Sequence, residues 1–294
     1  MVINMKQKFT FFDIVNYFVY ILITIISIYP FYYVVIYSIS NPELASRAIL
    51  LPKGFSLQTY KTIFSLNNIV GAFGISVLRT FLGAAVTVIC TSFLAYLMTK
   101  QEMFARQLVY RFFVITMYIN AGLIPWYLTM RAYGLKDNFL LYIVPGAVSA
   151  YYMILIKTYM ESLPASMEES ARIDGAGYFR IFFSIIFPLC KPIVATIAIY
   201  AAVAQWNNWT DNYFLVNDEN LQTMQMILYN YINQAQSVAN VTSQTMADTA
   251  NAVKVTPMAI KMCITVIATV PIMCVYPFLQ KHFVKGIMMG AVKG

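Results

Sequence analysis

Charge is the scarcest commodity in this sequence. Only 11% of its 294 residues are charged, against about 25% in soluble domains, so an ordinary water-soluble fold is excluded. Histidine occurs once, at His282 beside Lys281, and no HExxH pattern is present. A metal site or a histidine-based hydrolase therefore has nothing to build on, and an interfacial His282 is the plain reading. The four cysteines, Cys90, Cys190, Cys263 and Cys274, are widely spaced and form no CxxC pair or disulfide framework. There is no GxxxxGK[ST] phosphate loop, so this chain has no site of that kind for ATP. Nor is there a repeat of fixed period. The formal net charge of +8 comes from dispersed Lys and Arg, with no arginine-rich face or stacking module, which argues against nucleic acid as a partner.

What is present is apolar: 60% hydrophobic residues and a mean hydropathy of +0.66. Windows of roughly 20 apolar residues, enough to cross a hydrocarbon core of about 30 Å, recur six times. They fall at about 12–38, 72–98, 108–130, 138–160, 190–215 and 258–280. The first is too long and unbroken for a signal peptide, and Ser38-Ile39-Ser40-Asn41 leads into Pro42 with no small-residue cleavage site, so a retained helix is expected. With the N-terminus inside, twelve basic residues lie in inner segments and six in outer ones, leaving Arg79 and Lys261 in or near spans. That asymmetry places both termini in the cytoplasm. The expectation is an all-α membrane protein of six transmembrane helices in one membrane domain over 1–294. It has a charged inner segment at 161–190 and long outer loops at 39–71 and 216–257.

Polar residues at membrane depth are costly and point to function. Asn120, Trp126, Gln205, Trp206, Asn208 and Trp209 combine amides with indoles, which suits a path for sugars, whose hydroxyls and ring faces match those groups. Helix–helix hydrogen bonding and an aromatic belt are the alternative. Arg79 either snorkels outward or faces the path to meet an acidic sugar. Asp13, Asp137 and Asp211 all lie near span ends, which gives an ion-coupled carrier little to work with. In the outer loop, Leu221, Met224, Leu228 and Tyr231 are spaced for a short amphipathic helix over about 220–233. Thr256-Pro257 is a fitting start for the sixth span, and Asp137 for the fourth.

The inner segment reads ESLPASMEESARIDGAGYFRIFFSIIFPLCKP, residues 161–192. Pro164 ends the preceding helix, and Ser166 with Glu169 fits a capping box that starts a helix at 166. Glu168 and Arg172 are an i,i+4 pair, and Gly175 stands where a helix wants a left-handed residue. A second helical stretch over about 177–187 should stop at Pro188. Glu169-Ser170-Ala171, three residues, Gly175, nine residues and Ile185-Ile186-Phe187-Pro188 resemble the EAA motif of ATP-binding-cassette importer permeases. Ser170 and Phe187 are the two departures. Arg172 to Gly177 and Trp206-Asn207 are similar to carbohydrate permeases of the maltose-transporter type. Asn120 to Pro125 and the tail from Lys285 to Gly294 look like the branch importing polymer-derived oligosaccharides.

That resemblance implies a type I ABC importer permease architecture and a permease, not an enzyme, with no cofactor bound by this chain. ATP and Mg belong to two separate ATPase subunits. A second, related permease, forming a heterodimer, and an extracytoplasmic solute-binding protein complete the expected bacterial cell-membrane assembly, with lipid around it. Glu168, Glu169, Ser170, Ala171, Asp174, Gly175, Gly177 and Pro188 are the implied ATPase-coupling residues. Asn217, Asn220, Gln222 and Gln234 lie in the loop implied to meet the binding protein. Because the motif reports the motor connection and not the cargo, a peptide or lipid permease of the same type stays open, and an ion-coupled carrier is the more distant reading.

Overall fold

The computed structural model describes residues 10–65, 69–241, 256 and 258–274. Among these the fold is helical, with no strand, and an isolated antiparallel bridge joins Ser40 to Phe55. The chain divides into two compact units, Met1–Leu66 with Tyr231–Ile267, and Asn67–Asn230 with Ala268–Gly294.

In the first unit, α1 (Phe11–Ser38) starts at a capping box in which the Thr10 N–H donates to Asp13, at 2.8 Å. Its mean hydropathy of 2.1 and its exposed apolar flank from Phe11 to Val35 make it long and apolar enough to cross a membrane. Near its end, Tyr33, Val34 and Tyr37 pack on Ala259 and Met262 of the Met258–Cys274 helix, which is called α13 below. Thr256 caps that helix by accepting from the Ala259 N–H, as expected; Pro257 and positions 275–280 of the expected sixth span lie outside the described residues. The short α2 (Gln58–Ser65) is tied back to α1 by a bond between the Tyr60 and Ser38 hydroxyls.

In the second unit, α3 (Ile69–Thr99) is the axis, packing along α10 (Lys191–Asn207) and α6 (Ala150–Glu161). Its apolar sequence carries Ser76, Arg79, Gly83, Thr87 and Thr91 at steps of three and four, so they share one face. That face receives the broken spans. The third expected span is two helices, α4 (Arg106–Thr116) and α5 (Leu123–Ala132). Asn120 Oδ1 accepts from the Gly122 N–H, and Gly122 has φ 83°, a conformation only glycine takes without strain.

The fourth span is helical only from Ala150; residues 143–149 are irregular, after a 3₁₀ turn over Phe139–Tyr142. Asn138, and not Asp137, caps that turn by accepting from the Leu140 N–H. Irregular backbone at membrane depth is tolerated only where protein satisfies its polar groups. Here Thr87 donates to the Gly146 carbonyl at 2.7 Å, Thr91 accepts from the Ser149 N–H, and Gln205 Nε2 donates to the Tyr142 carbonyl at 3.0 Å. The fifth span stops at Asn207 and resumes as α11 (Thr210–Leu215), because Asn208 is extended and its side chain recaps the chain at Thr210.

Between α6 and α10 lie α7 (Ser166–Ile173), α8 (Tyr178–Ile181), a π-turn over Phe182–Ile186 and α9 (Phe187–Leu189). Pro188 does not end this run: the helical backbone continues through it to Leu189, and the 86° bend falls at Cys190. Ser166 is the first helical residue and Ala165 its cap, so the expected serine capping box is not formed. After α11, a 3₁₀ turn over Glu219–Leu221 precedes α12 (Met224–Val241), which starts later and runs further than the expected amphipathic helix.

A Cβ on Gly83 would lie 2.6 Å from Gln205 Nε2, whereas one on Gly74 meets nothing within 4 Å. Gly83→Val is expected to push Gln205 off the Tyr142 carbonyl and to cost on the order of 2–4 kcal/mol. Gly74→Val should be near neutral. The thermal midpoints of the two purified variants check this contrast.

Candidate functional site

The charged segment after α6 is closed by its own backbone and moored by residues at and just beyond the end of α3. The C-terminus of α7 closes with Gly175 at φ 77°, the Gly175 N–H donating to the Arg172 carbonyl and the Ala176 N–H to Ala171, both at 3.0 Å. This is the left-handed closure that Gly175 suits. Ala171 is buried in a cluster with Tyr96, Ile181 and Phe182. A two-turn helix is marginal alone, and this one is moored by charge.

The mooring centres on Glu168. Its carboxylate accepts from the Tyr96 hydroxyl at 3.2 Å, from Arg172 at 3.2 Å and from the Lys100 ammonium, which also lies 4.0 Å over the Tyr96 ring. Arg172 bridges onward to Glu102 at 2.8 Å and stacks over Tyr178. Burial pulls the Lys100 amine below its ordinary pKa, with Glu168 opposing. The hydrogen bond from Arg172 holds the Glu102 carboxyl below the usual range, and the same bond raises the guanidinium. Lys100, Tyr96 and Glu102 are partners that the sequence reading did not name; their signal is the basic residue and the tyrosine in the last turn of a span, opposite a charged helix.

The other side of α7 is open. Glu169, Ser170, Asp174 and Gly175 are exposed, and Ile173 is 86% exposed. Adjacent glutamates therefore point apart: Glu168 into the protein and Glu169 out. Gly177 is exposed where it precedes α8, and Pro188 is half-buried.

The polar residues at membrane depth separate into two groups. Asn120 is exposed at the α4–α5 break, and Trp126 packs near Leu135, Leu141 and Leu215. Trp209 stacks on Tyr229 with centroids 4.2 Å apart. Trp206 is buried, its Nε1 donating to the Ala268 carbonyl. Gln205 and Asn208 join a cluster around Arg79, whose fork reaches Asp211 at 2.5 and 3.1 Å. Arg79 is 1% exposed and neither snorkels nor stands open. Asp211, expected near a span end, is buried as well. Two opposite charges in the same half of neighbouring spans were the available sign.

Among the residues of the expected outer loop, Asn217 and Asn220 are exposed and Gln222 is partly buried; the side chain of Gln234 lies outside the described residues. Asp137 accepts from the backbone N–H groups of Asn217 and Asp218, and the first of these bonds chiefly holds its carboxyl below the ordinary aspartate value. Among the described residues no cluster of His, Cys, Asp or Glu is arranged to hold a metal ion.

Residues 87–289 match the family described as binding-protein-dependent transport system inner membrane component. A polygalacturonan/rhamnogalacturonan transport system permease protein of Bacillus subtilis is 34% identical over 290 residues, covering 98% of this chain and 100% of its own. The protein LplC of Bacillus subtilis is 37% identical over 271 residues, 92% of this chain and 90% of its own. A chain from the crystal structure of a bacterial ABC transporter involved in the import of the acidic polysaccharide alginate superposes with a TM-score of 0.82 at 27% identity, covering 95% of this chain and 100% of that one.

Glu168→Gln would strip the carboxylate from Lys100, whose side chain is 10% exposed. The expected cost is roughly 1–3 kcal/mol of local stability, read as about tenfold or faster amide exchange across 166–173. Glu169→Gln, on the open side, should leave that exchange unchanged.

Proposed function

The chain belongs to the binding-protein-dependent transport system inner membrane component family, and on that premise we propose that it is the transmembrane permease subunit of an ATP-driven oligosaccharide importer. It forms half of the translocation path. The observation that carries the reading is the open face of α7, with Glu169, Ile173 and Asp174 exposed on a helix that Glu168 and Arg172 hold in place. A moored helix with one free polar and apolar face is what a motor subunit would need to push against. The cargo reading draws on the relatives, which carry polygalacturonan, rhamnogalacturonan and alginate in their names.

In this reading residues 1–294 form one six-span permease domain in a bacterial cell membrane, with both termini cytoplasmic and the apolar flank of α1 against lipid. Segment 161–190 is the coupling segment; loops 39–71 and 216–257 are outside. Glu169, Ser170, Asp174 and Gly175 meet one of two ATPase subunits, where Mg and ATP are bound and hydrolysed. Ala171, Gly177 and Pro188 seat the segment. A second, related permease completes the path. Asn120, Trp126, Gln205, Trp206, Asn208 and Trp209 stand along the spans, although Gln205 and Trp206 spend their polar atoms on the protein in this state. Asn217, Asn220, Gln222 and Gln234 belong to the segment offered to a solute-binding protein. ATP binding would then shift the population between inward-open and outward-open states.

A peptide or lipid cargo is the remaining second reading, because α7 addresses the motor alone. An ion-coupled carrier has less support: both Asp211 oxygens are engaged by Arg79. The test is the ATPase rate of the reconstituted importer across neutral and acidic oligosaccharides. Stimulation by a glycan that requires the binding protein is expected. Stimulation by peptide or lipid alone would discard the sugar cargo and keep the motor role. Glu169→Ala or Gly175→Val should lower the coupled rate about tenfold or more, and an unchanged rate would remove the coupling role.

A further inference from the structure

The pair Arg79–Asp211 is buried on both sides, and cargo, motor and lipid leave it unexplained. A buried ion pair costs desolvation on both sides, and apolar residues of the same volume usually serve stability as well or better. Its use therefore lies in what it positions. Arg79 Nε donates to Gln205 Oε1 at 3.1 Å, Nη1 to the Asn208 carbonyl at 3.0 Å and to Asp211 Oδ1, and Nη2 to Asp211 Oδ2. The guanidinium lies 4.5 Å over the Tyr142 ring. One side chain of α3 thus holds the break in the fifth span and the last turn before the break in the fourth. An acidic sugar could reach this fork only by displacing Asp211.

The contacts continue outward. Asp211 Oδ1 accepts from the Asn212 N–H at 2.7 Å. Asn212 Nδ2 donates to the Tyr142 hydroxyl and, at 3.1 Å, to the Leu221 carbonyl, to which Tyr142 Oη also donates at 2.7 Å. Three residues on, the Met224 N–H donates to Ser76 Oγ of α3 at 2.9 Å, at the start of α12. Asp137 meanwhile takes the Asn217 and Asp218 N–H groups. Segment 217–224 is consequently pinned near its start by Asp137 and at its end by Ser76, and its middle pin, at the Leu221 carbonyl, runs through Tyr142 and Asn212 to the ion pair.

We infer that Arg79 and Asp211, with Tyr142, are positioning residues that fix segment 217–224 to α3 and α10, so that a protein docking on that segment moves both spans together. The docking partner rests on the reading above, in which this segment meets a solute-binding protein. The register itself does not. Charge suits the task because a bidentate fork has one geometry, whereas an apolar contact at the same place would allow sliding.

The experiment uses the complete importer in nanodiscs with two readouts: amide exchange over 217–224 without cargo, and the ratio of ATPase rates with and without glycan-loaded binding protein. In the double variant Arg79→Met, Asp211→Leu, which leaves no buried charge unpaired, exchange over 217–224 is expected to rise about tenfold, while 166–173 is unchanged. The stimulation ratio should fall about fivefold or more. Tyr142→Phe removes one hydroxyl and no charge, and should raise exchange about threefold to fivefold; it carries the test if the double variant does not assemble. Arg79→Lys, keeping the charge without the fork, should resemble the double variant more than the wild type. Unchanged exchange in the assembled double variant, or in Tyr142→Phe where the double variant fails, overturns the proposal. Faster exchange with full stimulation overturns its role in transport. If wild-type importer responds to no glycan while exchange rises as expected, the cargo reading fails and the positioning claim stands.

Discussion

A backbone carbonyl without a partner costs several kcal/mol inside a bilayer, and three of the expected spans break within their length. What makes those breaks tolerable is the polar stripe along α3. Ser76, Arg79, Thr87 and Thr91 each bond a group from another segment, and Gly83 leaves the room that Gln205 needs to reach the Tyr142 carbonyl. Along that helix, donors and acceptors stand at successive depths for the segments packed against it.

The same helix carries both charged networks. Ser76 and Arg79 belong to one end, Tyr96 and the following Lys100 to the other, about 30 Å away at 1.5 Å per residue. At the first end α3 is bonded to the start of α12 through Ser76; at the second it is bonded to α7 through Tyr96 and Glu168. A stiff helix fastened at both ends to the two surfaces where partners are proposed to act is a mechanical link that needs no change within its own fold. The broken spans around it are where backbone rotation is cheapest, since their irregular residues hold few helical bonds.

Much of this was legible in the sequence. Scarce charge and long apolar windows led to a membrane helical fold, and α1, α3 and α13 start within a few residues of where hydropathy puts them. Gly175 closes α7 as its position after Arg172 suggested. The breaks were less visible, because hydropathy averages over residues 143–149 as readily as over a helix, and only Asn120-Ala121-Gly122 and Pro145-Gly146 hinted at them. The Ser166 cap failed for a local reason: the preceding Pro164-Ala165 already starts the turn, with the Glu168 N–H donating to the Ala165 carbonyl.

By itself the sequence determined the class of protein, the number of apolar windows and the motif-bearing segment proposed to meet a motor, since each depends on composition or on spacing along one stretch of chain. Which glutamate of Glu168 and Glu169 faces inward, and whether Arg79 is free, were decided only by the tertiary structure. Both depend on partners far away in sequence: Lys100 is 68 residues from Glu168, and Asp211 is 132 from Arg79. Packing α3 against α7 and α10 brings those charges together, and at membrane depth an arginine beside a carboxylate is held where an arginine alone would have to leave.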